Sequence, residues 1–325
     1  MQPFVSVILC THNPRPEYLS RVLDSLRVQT IPLKDWEFLL IDNGSRERLS
    51  DNWDLSWHLR GRHVRENELG LTAARLRGIK ESSGEVLVFV DDDNLLARDY
   101  LKKAVTILKE YPHLGVFGAG ILEPEFELQP PRELLPWLNL LALRQVSSVL
   151  WSNNPKDWKC IPWGAGLCVT RRVADFYPKL VERLNVSMVL DRRGQELFCG
   201  GDDLFSWASV RLSLGFGLFP ELRVTHLIEG KRLNLKYFVR LVHGHSFSNG
   251  VLHYLVAGVR PRHIDMSRCL RLVLRGIKHG LLPMRLQWAA LCGEDRAARL
   301  IAEKEVRTTL GVWERQVEEM KNEAS

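Results

Sequence analysis

The chain has 325 residues, 45% of them apolar and 26% charged, as in an ordinary soluble globular protein with room for one large α/β domain and a smaller appendage. The six cysteines lack zinc-ligand spacing, the first residues lack a signal-peptide pattern, and no apolar run reaches the ~18–20 residues of a spanning helix, so we expect a cytoplasmic protein. The net charge of +6 is uneven, because residues 231–288 carry eleven Lys and Arg against one acid, Asp265.

Strands and helices alternate along the first third of the chain. Apolar, β-branched runs predict buried strands, and apolar residues at helical spacing predict helices between them. The predicted strands are Phe4–Cys10, Glu37–Ile41 and Val86–Val90, and the predicted helices are Pro16–Val28, Leu71–Lys80 and Leu101–Glu110. Because the strands are apolar throughout, they indicate a mostly parallel sheet with helices on both faces.

Each of these strands ends in polar residues. The three polar turns are Thr11-His12-Asn13, Asp42-Asn43 and Asp91-Asp92-Asp93. Ligands of open parallel sheets bind outside the carboxyl ends of the strands. The sequence therefore predicts a binding site at this edge of the sheet.

The middle of the chain is less regular. The Pro- and Glu-rich segment Glu123–Pro136 predicts a loop, and a turn at Trp163–Gly166 precedes a strand at Leu167–Thr170. A helix is predicted at Asp203–Leu214, closed by Gly215 and followed by a strand at Phe216–Phe219. Beyond residue 226 the pattern favours basic amphipathic helices, ending in the charged segment 303–325.

The Asp91-Asp92-Asp93 cluster is the strongest single feature. Three adjacent carboxylates repel one another, and a divalent cation shared with a diphosphate would relieve that repulsion. Residues at i and i+2 of an extended segment point the same way, so Asp91 and Asp93 are expected to face one site. The alternative is a solvated acidic turn that caps the next helix, but the position directly after a buried strand favours a site.

The order of motifs resembles that of the family 2 glycosyltransferases, which are inverting enzymes with the GT-A fold. Five segments carry the resemblance, over roughly residues 4–228: Val7–Asn13 with its Thr-x-Asn turn, Ile41–Ser45 with Asp-x-Gly-Ser, Asn67–Ile79 with Asn-x-x-Gly-x-x-x-Ala-Arg-x-x-Gly-Ile, Gly84-Glu85, and Val88–Asp93 with the DxD motif. The resemblance implies a GT-A catalytic domain over residues 1–228, with a Rossmann-like, mostly parallel sheet. Residues 229–325 would form a C-terminal helical region.

The resemblance also implies a set of donor-binding residues. Thr11, His12 and Asp42 would contact the nucleobase and ribose, Arg75 would lie near the base or phosphates, and Asp91 would contact the ribose. The full expected donor-binding set is Thr11, His12, Asn13, Asp42, Arg75, Asp91 and Asp92. UDP-sugars are the donors that the resemblance favours.

A divalent metal, Mn²⁺ or Mg²⁺, is implied as well. The resemblance places Asp93 and His226 on the metal, which would neutralise the charge of the nucleoside diphosphate leaving group. It also brings Trp163, Gly164 and Gly166 near the transferred sugar and the acceptor. Glycine permits close backbone approach and Trp offers a flat apolar face to a sugar, although a turn with a core Trp explains the same residues.

An inverting transfer needs a general base for the acceptor hydroxyl. The family places it in a Glu-Asp motif, and the corresponding residues here are Asp202 and Asp203. Asp203 is the expected base. Two features depart from the family pattern. Phe205 stands where the family has a second acid, two positions beyond the base, and the spacing from Asp203 to Gly215 is one residue longer than expected. Asp202 therefore stays an alternative base. A helix N-cap would explain an Asp here too.

The basic C-terminal region leaves two interpretations open. Leu270–Leu286 reads as one basic amphipathic helix, which would suit either a helical bundle or peripheral contact with an anionic membrane. The acceptor would be a carbohydrate or a lipid-linked molecule in cell-surface polysaccharide or glycolipid synthesis. Nucleic-acid binding is not expected, because no recognition motif is present.

Two other functions compete with transfer. A nucleotidyltransferase would need a Gly-rich loop after the first strand, but residues 11–16 contain no glycine. A non-catalytic protein that binds nucleotide sugars is the other alternative.

Overall fold

The centre of the fold is a sheet made from the apolar runs of the sequence. The structure is a computed structural model that describes residues 4–184, 197 and 200–303. Its strands are β1 (Val5–Thr11), β2 (Trp36–Asn43), β3 (Gly61–Glu66), β4 (Val86–Asp91), β5 (Asn94–Leu96), β6 (Leu114–Phe126), β7 (Arg144–Gln145), β8 (Leu150–Ser152), β9 (Leu167–Thr170) and β10 (Gly215–Ile228). They join one sheet in the order β3-β2-β1-β4-β9-β6-β10-β5, with β7 beside β6 and β8 beside β10.

Helices connect most of these strands. The helices of the described residues are α1 (Pro16–Arg27), α2 (Leu49–Asn52), α3 (Leu71–Glu81), α4 (Tyr100–Glu110), α5 (Arg171–Leu184), α6 (Asp203–Arg211), α7 (Leu235–Ala257), α8 (Met266–His279) and α9 (Leu281–Ala302). In helix α1 the apolar residues at helical spacing lie on one side and are buried, as the sequence pattern predicts: Leu19, Val22, Leu23 and Leu26. Among the described residues, no helix has the length and apolar character needed to cross a bilayer.

Strands β3, β2, β1 and β4 run parallel and end level with one another. Thr11 pairs with Asp42 across β1 and β2, and Cys10 lies between Ile41 and Asp91. The predicted mostly parallel sheet is confirmed, and the polar turns after β1, β2 and β4 do meet at one edge. Antiparallel pairing of β9 with β4 and β6 makes the other half mixed.

Several sequence-based predictions of elements were wrong or incomplete. The predicted loop Glu123–Pro136 contains the end of β6 and the start of a 3-10 helix, Arg132–Leu141. Strand β3 was missed because only Val64 of its six residues is buried, and α5 was missed because Pro178 lies inside it. Without an apolar period there was no signal to find β3.

Two predicted boundaries also change. Helix α6 ends at Arg211, and Gly215 does not close it but opens β10, which runs on to Ile228. The predicted single helix over Leu270–Leu286 is two helices, α8 and α9, which are separated at Gly280 with φ +92°. That backbone conformation suits glycine and ends the helix.

The described residues form two compact units. Unit 1 contains residues 4–127, 141–178 and 202–228, and thus all ten strands of the described chain. Unit 2 contains residues 128–140, 179–184, 197, 200–201 and 229–303, including α7, α8 and α9. Within unit 2, α7 and α9 approach closely at Gly293, where an added Cβ would lie 2.2 Å from the His243 carbonyl oxygen. The roles expected of residues 1–228 and 229–325 stay predictions.

Candidate active site

The turn after β1 is tied to the turn after β2. His12 Nδ1 lies 2.7 Å from the Asn43 carbonyl oxygen and therefore donates to it, while His12 Nε2 lies 2.7 Å from the Asn13 side-chain nitrogen and accepts. Asn13 has φ +48° and accepts a hydrogen bond from the Arg46 amide at 2.9 Å. His12 and Asn13 are exposed. Two of the expected donor-binding residues thus form an ordered, accessible rim.

Asp42 lies beneath this rim and is 4% exposed. Its carboxylate accepts from the Ser45 amide at 3.0 Å, the Leu49 amide at 3.2 Å and Arg65 Nη1 at 2.5 Å. Burial acts to raise the pKa of Asp42, but the hydrogen bonds of Ser45, Arg65 and Leu49 hold that pKa below its usual value. Both carboxylate oxygens therefore hold the protein together, and the expected nucleobase contact of Asp42 stays a prediction.

The three acids at the end of β4, Asp91, Asp92 and Asp93, divide into two groups. Asp92 accepts a hydrogen bond from the Thr11 hydroxyl and joins β1 to β4. Asp91 and Asp93 both accept from one donor, the side-chain nitrogen of Asn94, at 3.2 Å and 3.0 Å. Because Asn94 is fully buried, it fixes both carboxylates at one point. Asn94 directly follows the triplet in sequence, but nothing in its position indicated that it would bridge the two acids.

The fold brings His226 to this pair across 133 residues of sequence. Strand β10 pairs with β5 so that His226 lies opposite Asn94, and His226 Nε2 is 3.4 Å from Asp93 Oδ2. Both side chains are buried. Two ligands about 2.1 Å from one cation, at about 90–110°, lie about 3.0–3.4 Å apart, so this spacing fits two adjacent metal ligands. Within the described residues no group of three or more His, Cys, Asp or Glu is arranged to hold a metal.

Asp202 and Asp203 stand at the start of α6. Asp202 has helical backbone angles and makes no side-chain capping bond, so capping does not account for it. Its Oδ2 accepts instead from the Gly164 amide at 2.7 Å. This bond fastens the loop Trp163–Gly166 to the helix that carries both acids.

Arg75 is buried in unit 1, where it is 4% exposed, and its expected place near the donor stays a prediction. Burial acts to lower the pKa of Arg75, and the charges of Asp202 and then Asp91 raise it overall. A Cβ added to Gly164 would lie 2.4 Å from Arg75 Nη2, so a larger residue there would displace the guanidinium. The guanidinium is thus close enough to both Asp91 and Asp202 to interact with their charges.

Arg144, which no sequence motif indicated, lies close to the two acids Asp203 and Asp202. Its guanidinium carbon lies 3.5 Å from the centroid of the Trp163 ring, and its Nη1 donates to the Ile161 carbonyl at 2.9 Å. One face of Trp163 is therefore covered by a cation rather than offered to a sugar. Arg144 belongs to the two-residue strand β7, and so short a strand leaves no sequence signal.

The environment of Asp203 makes it a stronger base than an ordinary carboxylate. Loss of hydration raises the pKa of Asp203, and the neighbouring Asp202 charge raises it further. Arg144 and Arg75 act in the opposite direction. Burial in turn lowers the pKa of Arg144 to about 10, against the effects of Asp203 and Asp202.

The loop between Trp163 and β9 is held by a hydrogen bond from a buried tyrosine on α4. Gly166 has φ +72°, and its carbonyl accepts a hydrogen bond from the buried Tyr100 hydroxyl at 2.5 Å. A Cβ on Gly166 would lie 2.5 Å from that hydroxyl oxygen. The two glycines thus serve close contacts within the protein, and the expected contact of Trp163, Gly164 and Gly166 with sugar stays a prediction.

Comparison with known proteins supports the resemblance seen in the motifs. Residues 6–154 match the family model described as glycosyl transferase family 2. Glycosyltransferase AglE of Haloferax volcanii is 30% identical over 109 residues, which are 33% of this chain and 36% of that protein. The poly(ribitol-phosphate) beta-N-acetylglucosaminyltransferase TarS of Staphylococcus aureus is 26% identical over 151 residues, which are 43% of this chain and 25% of that protein. The matches thus span only about a third or less of these curated relatives.

A solved structure extends the likeness to nearly the whole chain. The mannosyltransferase PcManGT from Pyrobaculum calidifontis, solved in complex with GDP-Man and Mn²⁺, superposes with a TM-score of 0.51 over 96% of this chain and 84% of that one, at 19% identity. This likeness concerns the fold alone, and the expected GT-A architecture with a C-terminal helical region is confirmed. Residues 6–154 thus resemble glycosyl transferase family 2, and this match together with the named relatives supports a transferase.

Proposed function

We propose that the chain is an inverting, divalent-metal-dependent glycosyltransferase that moves a sugar from a nucleotide-sugar donor to an acceptor hydroxyl. The observation that carries the proposal is one cluster at the carboxyl edge of the sheet. We call it the strand-edge site, and it comprises Asp42, Asp91, Asp93, His226, Asp202 and Asp203 with the cations Arg65, Arg75 and Arg144. Asp91 and Asp93 converge on Asn94, His226 lies beside Asp93, and Arg75 connects these acids to Asp202. A donor diphosphate bound at this edge would be close to both the metal ligands and the base.

Asp93 and His226 would hold the metal. Carboxylate oxygen and imidazole nitrogen together suit Mn²⁺ better than Mg²⁺, which prefers oxygen ligands alone. With two protein ligands, the remaining positions are left for the donor diphosphate and water. When bound, the metal would neutralise the negative charge that develops on the leaving diphosphate. Asp91, held beside them by Asn94, is the proposed ribose contact.

Asp203 is the proposed base, and Asp202 positions it. Asp202 is already held by the Gly164 amide and the charge of Arg75. Asp203 would accept the proton of the acceptor hydroxyl while that oxygen bonds to the anomeric carbon and the bond to the diphosphate oxygen breaks. Attack from the face opposite the leaving group inverts the anomeric configuration. The raised pKa of Asp203 favours this proton transfer.

The donor and acceptor are proposed more broadly. The exposed His12 and Asn13, with Thr11 beside Asp92, would form the nucleoside side of the site. UDP-sugars are our first choice of donor, although the PcManGT complex named above holds GDP-Man. The proposed acceptor is a carbohydrate or lipid-linked molecule in polysaccharide synthesis, and the name of TarS gives poly(ribitol-phosphate) as the acceptor of that protein.

The test is a donor-hydrolysis screen. UDP-, GDP- and dTDP-sugars are incubated with the full chain in Mn²⁺, Mg²⁺ or chelator, and release of nucleoside diphosphate is measured. We expect metal-dependent release from one nucleotide class. Release that is equal in chelator would remove the metal from the proposal. Formation of pyrophosphate from a nucleoside triphosphate and a sugar phosphate would replace it with nucleotidyl transfer.

A further inference from the structure

Helix α8 presents an apolar face to solvent. Five of its side chains are between 52% and 89% exposed: Met266, Leu270, Val273, Leu274 and Ile277. At about 100° per residue these positions fall within about 100° of arc, so they form one continuous line. We call this set of five residues the α8 stripe.

The opposite side of α8 packs within unit 2. Leu272 is buried, and a Cβ added to Gly276 would lie 2.4 Å from the Met284 sulfur on α9. Helices of globular proteins normally turn the apolar stripe inward and the polar side to water. Here the inner contact uses Leu272 and Gly276, while five larger side chains remain outside. A contiguous exposed apolar surface of this kind marks an interaction site.

The charge of α8 identifies the kind of partner. The helix carries Arg268, Arg271, Arg275 and Lys278, and no acid between residues 266 and 279. Arg268 pairs with Glu294, and the other three are exposed and lie along one flank of the stripe. A partner for this face must accept apolar side chains and supply negative charge beside them. A second copy of the chain would bring the same cations together.

We propose that the α8 stripe inserts into the surface of an anionic membrane. The five apolar side chains would enter the boundary of the acyl chains, and Arg271, Arg275 and Lys278 would contact anionic headgroups. The proposal is independent of the transfer reaction, since none of these residues belongs to the strand-edge site.

The test is co-sedimentation of the full chain with vesicles. One set is phosphatidylcholine alone, and the other contains phosphatidylglycerol as well. We expect binding to the anionic vesicles and little to the neutral ones. Combining Leu270→Ser, Leu274→Ser and Ile277→Ser should weaken anionic binding by at least about tenfold. Combining Arg271→Gln, Arg275→Gln and Lys278→Gln should weaken it by about a hundredfold.

A matched control removes three equally exposed apolar side chains elsewhere. Val28, Leu59 and Leu128 are between 54% and 80% exposed, and changing all three to Ser should leave vesicle binding as in the wild type. Circular dichroism tests whether each variant is folded. If the stripe variant does not fold, the charge variant, which changes only exposed charged side chains, carries the test. Equal binding to both vesicle types, no binding, or unchanged binding of the stripe or charge variant would overturn the proposal. So would a stripe variant that turns an oligomer into a monomer in light scattering, because a second copy would then cover the stripe.

Discussion

The strand-edge site of unit 1 and helix α8 of unit 2 differ in where their side chains find interaction partners. At the strand edge, three carboxylates lie beside cations of the same unit: the buried Asp42 pairs with Arg65, and the half-exposed Asp202 and Asp203 lie near Arg75 and Arg144. On α8, apolar side chains remain in water beside exposed cations.

The difference teaches where each surface finds its partner. A buried carboxylate is costly unless a cation or hydrogen-bond donors accompany it, so the strand-edge acids are already ordered by the protein. Such order is what catalysis requires, since the groups need not rearrange during reaction. Within the described residues the α8 stripe has no such internal partner, and in our proposal an anionic membrane supplies it. Four substitutions, and then the pH dependence of stability, sharpen or break this contrast at the strand edge.

The largest effect is expected for Asp203→Asn. Because the amide cannot accept the acceptor proton, turnover should fall by about a thousandfold while donor binding stays within about twofold. Steady-state transfer and calorimetric donor binding measure the two quantities. Asp24→Asn, a change of an exposed acid on α1, is the control. Full turnover of Asp203→Asn would move the base to Asp202.

Asp93→Ala should remove the dependence of nucleotide binding on metal. Loss of a metal ligand should weaken nucleoside diphosphate binding in Mn²⁺ by about a hundredfold and leave binding in chelator unchanged. Titration calorimetry in the two buffers gives the comparison, and His226→Ala should act in the same direction. If the wild type binds equally well in chelator and in Mn²⁺, the metal assignment is wrong.

Arg75→Met tests whether matched charges hold the site together. Removing a buried cation leaves Asp202 and Asp91 without it, and should lower the free energy of unfolding by about 3 kcal/mol. Arg77→Met on the same helix removes a half-exposed ion pair with Glu81 and should cost less than about 1 kcal/mol. Urea unfolding of both variants measures the difference. Equal costs would mean that Arg75 has no special place in the site.

The smallest effect is a shift in pH dependence on Arg144→Gln. As the proposed base, Asp203 would act only when ionised, so turnover should rise with pH through its raised pKa, above the usual carboxyl value of about 4. Removing Arg144, which lowers that pKa, should move the rising limb to higher pH by up to about one unit. Arg15→Gln, away from α6, should leave the limb in place. A limb that moves to lower pH would contradict the assigned neighbourhood of Asp203.

The opposite pKa shifts of Asp42 and Asp203 predict opposite effects of pH on the free energy of unfolding. The lowered pKa of Asp42 means that its contribution to stability is present above the unfolded pKa and is lost as pH falls through the folded value. The raised pKa of Asp203 has the reverse sign, because ionisation in the folded state is unfavourable and stability falls as pH rises through the folded pKa.

The sequence by itself determined the parallel core and the edge at which the polar turns meet. Continuous apolar runs in β1, β2 and β4 leave little choice but burial in a parallel sheet, and chain direction then places Thr11, Asp42 and Asp91 at one edge. Apolar runs and the polar residues that end them are patterns of neighbouring residues, so they predict strands and strand ends without knowledge of the tertiary structure.

Only the tertiary structure decided which side chains serve the site and which hold it. Arg75 and Asp42 match the family motifs but lie buried among charges of the protein, and Arg144 enters from a two-residue strand. The contact of His226 with Asp93, the bond from Gly164 to Asp202 and the outward face of α8 depend on packing between segments far apart in sequence. Burial and charge pairing are properties of three-dimensional surroundings, and no local pattern encodes them.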